Sequence, residues 1–173
     1  MKKIDTPLTQ EIVETLHAGD LVLVNGYVYT ARDAAHKRLV ELIKDDLPLP
    51  FDIRGQIIYY VGPTPPPPGK VIGSAGPTTS SRMDGYTPLL LSLGLKGMIG
   101  KGQRSEEVRN AIKKYKAIYF LATGGAGALL SHHIVSVEEI AFSDLGPESI
   151  KKLLLKDFPV VVAMDCYGKD IFK

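Results

Sequence analysis

The stretch Gly76-Pro-Thr-Thr-Ser-Ser-Arg-Met-Asp84 is the densest polar cluster in the chain. Its glycine and proline restrict the backbone, four consecutive hydroxyls offer short-range donors, and Arg82 supplies a planar charged fork. At a strand-to-helix junction, these hydroxyls and backbone N–H groups would face a carboxylate or phosphate at the positive end of the helix dipole, with Arg82 binding it bidentately. The same residue types also make a capped loop with a surface arginine.

Further candidates lie on either side. Arg32 falls in the first turn of a helix expected to be capped by Thr30, where a cation opposes the helix dipole unless it holds an anion. Lys101 sits between Gly100 and Gly102, on backbone that can approach a ligand closely, although Gly-Lys-Gly equally describes a turn with a solvated lysine. His36 follows Arg32 by four residues and shares its helix face, where it orients the site or packs. The segment Gly124-Gly-Ala-Gly127 lacks the third glycine of a dinucleotide fingerprint and the Gly-Lys-Ser/Thr ending of a P-loop, so close packing is the simpler account. His132 and His133 are adjacent and do not share a helix face as ligands four apart would, which leaves surface or capping roles. Cys166 has no obvious base beside it and reads as a small core residue.

A chain of 173 residues matches one domain, here residues 1–173, with enough length to bury its own core. Its 21 basic and 19 acidic residues leave a formal charge of +2, which provides no footprint for nucleic acid or an acidic membrane surface. The single cysteine excludes an intrachain disulfide framework and any multi-thiolate metal or cluster site built from this chain alone. The N-terminus lacks an apolar signal core, and no apolar run approaches the roughly 20 residues a membrane span requires, so the cytoplasm is expected.

The candidates need elements to position them. Apolar patterning predicts strands at 21–29, 57–61, 71–75, 117–122 and 159–164, and a short apolar segment at 97–100. Helices are predicted at 31–44, near 86–93, after Ser105 with Glu106 and Glu107 in the first turn, and at 147–156. The prolines at 63–68 predict a stiff surface crossing. This alternation of strands and helices indicates α/β layering with parallel strands joined by crossovers.

Taken together, Tyr29-Thr-Ala-Arg-Asp-Ala-Ala-His36, the Gly76–Asp84 string, Gly100-Lys-Gly102 and Gly124-Gly-Ala-Gly-Ala-Leu-Leu-Ser131 resemble the β subunit, or C-terminal domain, of class I fumarate hydratases and L(+)-tartrate dehydratases. The resemblance implies a swivelling β/β/α three-layer domain of the α/β class with a partly parallel central sheet. It implies a partner α subunit carrying a four-iron, four-sulfur cluster, one iron of which acts as Lewis acid on a substrate hydroxyl; this chain would bind no metal.

By the same resemblance Arg32, Thr78, Thr79, Arg82 and Lys101 contact substrate, Thr78, Arg82 and Lys101 being catalytic, while His36, Asp33 and Asp84 support them. The implied reaction is the reversible hydration of fumarate to (S)-malate; the alternatives are dehydration of L(+)-tartrate, or a non-catalytic anion-binding or assembly role. The chemistry suits the residue types, because removing a proton next to a carboxylate builds charge that cations must meet. A threonine hydroxyl is a poor base unless neighbouring cations lower its pKa.

Overall fold

The computed structural model describes residues 1–122 and 127–173. In chain order the elements are β1 (Lys2–Asp5), α1 (Gln10–Glu14), β2 (Leu21–Thr30), α2 (Asp33–Lys44), β3 (Ile57–Tyr59), α3 (Thr87–Ser92), β4 (Gly97–Gly100), α4 (Glu106–Lys114), β5 (Ile118–Leu121), the short α5 (Gly127–Leu130), β6 (Ile134–Ala141) and β7 (Ile150–Met164). Turns of 3₁₀ helix occupy Ser80–Met83, Ser131–His133 and Ser143–Glu148.

The class is mixed α/β with a partly parallel sheet, as expected. Strands β1 to β5 run parallel in sequence order, and β7 lies antiparallel to β2, β5 and β6. Because β2 pairs with both β3 and β7, and β7 also pairs with β5, the strands β2-β3-β4-β5-β7 close into a ring. β1 extends the amino-terminal half of β2, and β6 extends the first half of β7. Closure aligns the carboxyl ends of β2, β3, β4 and β5 along one rim.

Alternation along each strand separates two apolar layers. Val24, Val28, Ile57, Tyr59, Ile99, Phe120, Leu153 and Val162 face one side. Their strand neighbours Ile58, Tyr60, Met98, Tyr119 and Ala163 face the other, where they meet Leu39 of α2, Leu90 of α3, and Val108 and Ile112 of α4. Each fully buried aliphatic side chain contributes about 1.5–3 kcal/mol, so the two layers together hold the ring shut.

Three local expectations require correction. Thr30 does not cap α2. It ends β2 fully buried, and its hydroxyl donates to the Ser149 carbonyl at 3.3 Å while accepting from Lys151 N at 3.0 Å. The N-cap is Arg32, whose side chain makes no capping bond, and the Glu148 carboxylate reaches in from the last 3₁₀ turn to accept from Ala34 N at 3.2 Å.

Residues 71–75 form no strand; the segment folds back on Thr64, with Thr64 N bonded to the Ser74 carbonyl and Gly73 N to the Thr64 carbonyl. The neighbouring prolines lack the N–H donors a ladder requires. Residues 147–156 are not helical either: most of them belong to β7, which continues through Pro159 past an irregularity at Asp157, where φ is 48° and Asn25 exchanges two bonds with Asp157. Ladders to β2 and β6 outweigh the helical appearance of Lys-Lys-Leu-Leu-Leu-Lys. The edge strands β1 and β6 carry too many exposed polar residues to declare themselves.

Ser105 does cap α4, accepting from Val108 N at 3.2 Å, with Glu106 and Glu107 in the first turn and Lys113 and Lys114 in the last, an order that complements the helix dipole. No helix among the described residues is long and apolar enough to cross a membrane.

His36 occupies the buried face of α2 with Ala35, Leu39 and Val40. Its Nδ1 lies 2.8 Å from the Arg32 carbonyl and therefore carries the proton, and its ring packs against Tyr60 and Tyr86. Burial is the main cause that pushes its pKa from 6.5 down to about 4, with the Arg104 cation acting the same way against opposing effects of the Arg32 carbonyl and Asp33. The folded chain thus keeps the imidazole neutral while the unfolded chain protonates it, so this stability is present above about pH 6.5 and lost as pH falls toward about 4. On the order of 3 kcal/mol is at stake. Urea titrations across that interval should show wild type losing stability more steeply than His36→Gln, the gap narrowing with acid; parallel curves would exclude His36 as the source.

Candidate active site

The parallel strands deliver their carboxyl ends to one rim, where ligands of open α/β sheets usually bind. Arg32 follows β2, Tyr60 to Gly62 follow β3, and Lys101 follows β4. Across these ends lies the 76–84 segment. Thr78 N donates to the Tyr60 carbonyl at 2.7 Å, Ser80 N donates to the Lys101 carbonyl at 2.9 Å, and Thr79 pairs in parallel with Lys101. The segment therefore fits between the extensions of β3 and β4 like an added short strand.

Two glycines make room. A Cβ at Gly100 would collide with the Ser80 hydroxyl and the Tyr60 ring, and one at Gly62 would come within 2.8 Å of Arg32 Nη1. A side chain at Gly100 would push Ser80 and the segment off the strand ends, and one at Gly62 would make the Arg32 side chain shift.

This geometry brings together Arg32, Thr78, Thr79, Arg82 and Lys101. Thr78 is half-buried, whereas Thr79, Arg82 and Lys101 are exposed. Arg82 Nε donates to Asp33 Oδ2 at 2.9 Å, a contact that uses one N–H and leaves the terminal amino groups of the fork for another partner. The two side chains are 52% and 35% exposed, so water screens the pair and its worth is at most about 1 kcal/mol. Its effect is to aim the guanidinium. Among the described residues Arg32 and Lys101 have no carboxylate partner, and the buried Arg32 Nε and Asp33 Oδ1 lack hydrogen bonds. Three cations against the Asp33 and Glu148 carboxylates leave the rim net positive and suited to an anion.

Asp84 and His36 stand behind this group. Asp84 accepts from Arg104 Nε at 2.6 Å and from Ser105 N at 2.8 Å. His36 holds the Arg32 carbonyl.

Sequence reasoning missed Arg104. Its side chain is fully buried, its Nη2 donates to Tyr60 Oη at 3.1 Å and to Thr87 Oγ1 at 2.9 Å, and its guanidinium lies over the rings of Tyr60 and Tyr119. Burial works against the charge, but Tyr60, Asp84 and Tyr119 outweigh it and carry the pKa up. Tyr119 Oη lies 2.8 Å from Ser80 Oγ and 2.7 Å from the Gly102 carbonyl, and its pKa is raised chiefly by burial. An arginine directly before a capping serine normally points to water, and no periodic signal marks it as internal. Glu148 was also missed; it follows Pro147 more than a hundred residues from the helix it caps.

The other sequence candidates lie apart. Most of the Gly124–Gly127 loop falls outside the described residues. His133 Nδ1 contacts the Lys156 carbonyl at 3.1 Å, and a cleft of about 870 Å³ lined by Thr64, Pro65, Ser74 and His132 includes none of the rim cations. Cys166 is buried just beyond β7, beside the amino-terminal end of the sheet, and burial raises its thiol pKa. Among the described residues no group of three or more His, Cys, Asp or Glu side chains could hold a metal ion.

The sequence has clear relatives. The family model described as Fumarase C-terminus matches residues 2–173. A protein of Methanocaldococcus jannaschii named putative L(+)-tartrate dehydratase subunit beta is 38% identical over 172 residues, covering 96% of this chain and 88% of its own length. The L(+)-tartrate dehydratase subunit beta of Escherichia coli is 32% identical over 177 residues, 99% of this chain and 87% of that protein. The anaerobic class I fumarate hydratase of Escherichia coli is 38% identical across 100% of this chain, which spans only 31% of that longer protein. By residues and by coverage, the chain belongs to the Fumarase C-terminus family of class I fumarate hydratases and L(+)-tartrate dehydratase β subunits.

Proposed function

We propose that residues 1–173 act as one swivelling β/β/α domain, the β subunit of a cytoplasmic two-subunit iron–sulfur hydro-lyase that interconverts fumarate and (S)-malate. The observation that supports this reading is the gathering of Arg32, Thr78, Arg82 and Lys101 at one rim, with Asp33 directing the Arg82 fork. Arg82 would take one substrate carboxylate bidentately, and Arg32 and Lys101 would meet the other. Removing the proton next to a carboxylate turns it toward an aci-dianion, and the same cations, already oriented, stabilise that growing charge without reorganising. Thr78, half-buried between Tyr60 and Lys101, is the hydroxyl assigned to the proton, with the adjacent cations favouring its ionised form.

The residues of this chain do not fit an iron–sulfur cluster, which needs several thiolates where the sequence offers Cys166 alone, buried away from the rim cations. The reading therefore requires a cluster-bearing α subunit. L(+)-tartrate is the second candidate substrate, favoured by the names of the relatives that match this chain in length.

The test is to combine the purified chain with a candidate cluster-bearing subunit under anaerobic conditions and compare malate, fumarate and tartrate isomers. Turnover confined to the mixture is expected; tight association without turnover of any diacid would favour a non-catalytic anion-binding or assembly role. Arg82→Ala should lower turnover of the reconstituted pair by at least about a hundredfold, as loss of a charge-stabilising donor generally does; near-normal rates would remove Arg82 from the site. Cys166→Ser should leave the iron content of the complex unchanged, and loss of iron on that change would overturn the assignment of the cluster to the partner.

A further inference from the structure

We infer that Arg104 is a positioning residue, holding the segment that carries Thr78 and Arg82 in fixed register with Lys101. The inference rests on the catalytic reading above for its kinetic part only. Arg104 is fully buried and cannot itself reach a ligand at the rim. A buried guanidinium carries a desolvation penalty that an apolar side chain of similar size would avoid, so the fold alone has little need of it.

Apart from the bond to Thr87 Oγ1 at the start of α3, its contacts share one destination. Nε binds Asp84, which immediately follows the 3₁₀ turn bearing Arg82. Nη2 binds the hydroxyl of Tyr60, whose carbonyl receives Thr78 N. The guanidinium lies over Tyr119, whose hydroxyl bonds both Ser80 and Gly102, the latter next to Lys101. Asp84 also accepts from Ser105 N, which ties the turn to the chain leaving β4. Through these links one cation joins the Thr78–Arg82 backbone to the Lys101 backbone from behind. A small slip between groups that must act together on one transition state can cost about a hundredfold in rate, so a fixed register has a catalytic use.

Two measurements on the reconstituted complex test this. Amide hydrogen exchange should show wild-type protection across 78–84 and 101–105, lost in Arg104→Met and partly lost in Asp84→Asn, with β2, β5 and β7 unchanged. In steady-state kinetics Arg104→Met should lower kcat at least about tenfold with a smaller change in KM, and Arg104→Lys, which keeps the charge but not the fork, should recover part of it. Combined with Arg82→Ala, the further loss from Arg104→Met should be smaller than in the wild-type background, since one of the groups that Arg104 holds in place is already removed. Unchanged exchange in the segment, or losses that simply multiply, overturns the inference. If Arg104→Met does not fold, Asp84→Asn carries both measurements. A wild-type complex that turns over no diacid refutes the catalytic reading, while the exchange data still decide the positioning role.

Discussion

Two backbone hydrogen bonds, from Thr78 N to the Tyr60 carbonyl and from Ser80 N to the Lys101 carbonyl, anchor the 76–84 segment to the strand ends. They place a stretch more than fifteen residues beyond β3 between the extensions of β3 and β4, so that Thr78, Arg82 and Lys101 become neighbours. Backbone bonds do this better than side-chain contacts would, because each fixes the chain with no rotamer to order. They form only because Gly100 leaves space for Ser80, and because closure of β2-β3-β4-β5-β7 aligns the strand ends that receive the segment.

The polar groups behind the rim divide into a dry set and a wet set. Arg104, Tyr60, Tyr119, Thr87 and Asp84 form a largely buried network, where low dielectric makes each bond count and in which Arg104 Nη1 is left without a hydrogen bond. Arg82 and Asp33 form a screened pair at the surface, weak in energy yet effective in direction. Exposed cations can exchange water for an incoming anion, while the buried network beneath them keeps their backbones still.

Helix α2 connects both sets. Its first residue, Asp33, directs Arg82, its N-cap is Arg32, and His36 one turn later ties back to the Arg32 carbonyl. Glu148 caps the same terminus from a distant turn and, by satisfying Ala34 N, offsets the unfavourable placement of a cation at a helix start. The N-terminus of α2 thus depends on the corner that leads into β7.

Much was legible in the residues alone. The motif at 76–84, the arginine at 32 and the Gly-Lys-Gly at 100–102 named the candidate residues that the fold gathers at one rim, because glycines, hydroxyls and cations at those spacings carry their chemistry in local sequence. Strands β2 to β5 and helices α2 to α4 were equally visible, since burial on one or both faces imposes periodic apolar patterns. β7 was misread in its first half and β1 and β6 were not seen at all, because edge and long crossover strands obtain their stability from partners remote in sequence. Arg104 and Glu148 were hidden for the same reason. The sequence by itself determined which groups are available to grip an anion; only the tertiary structure decided that a lone arginine before α4 would be buried beneath them and a glutamate from the far end of the chain would cap the helix beside them, since both roles arise from contacts that no local pattern encodes.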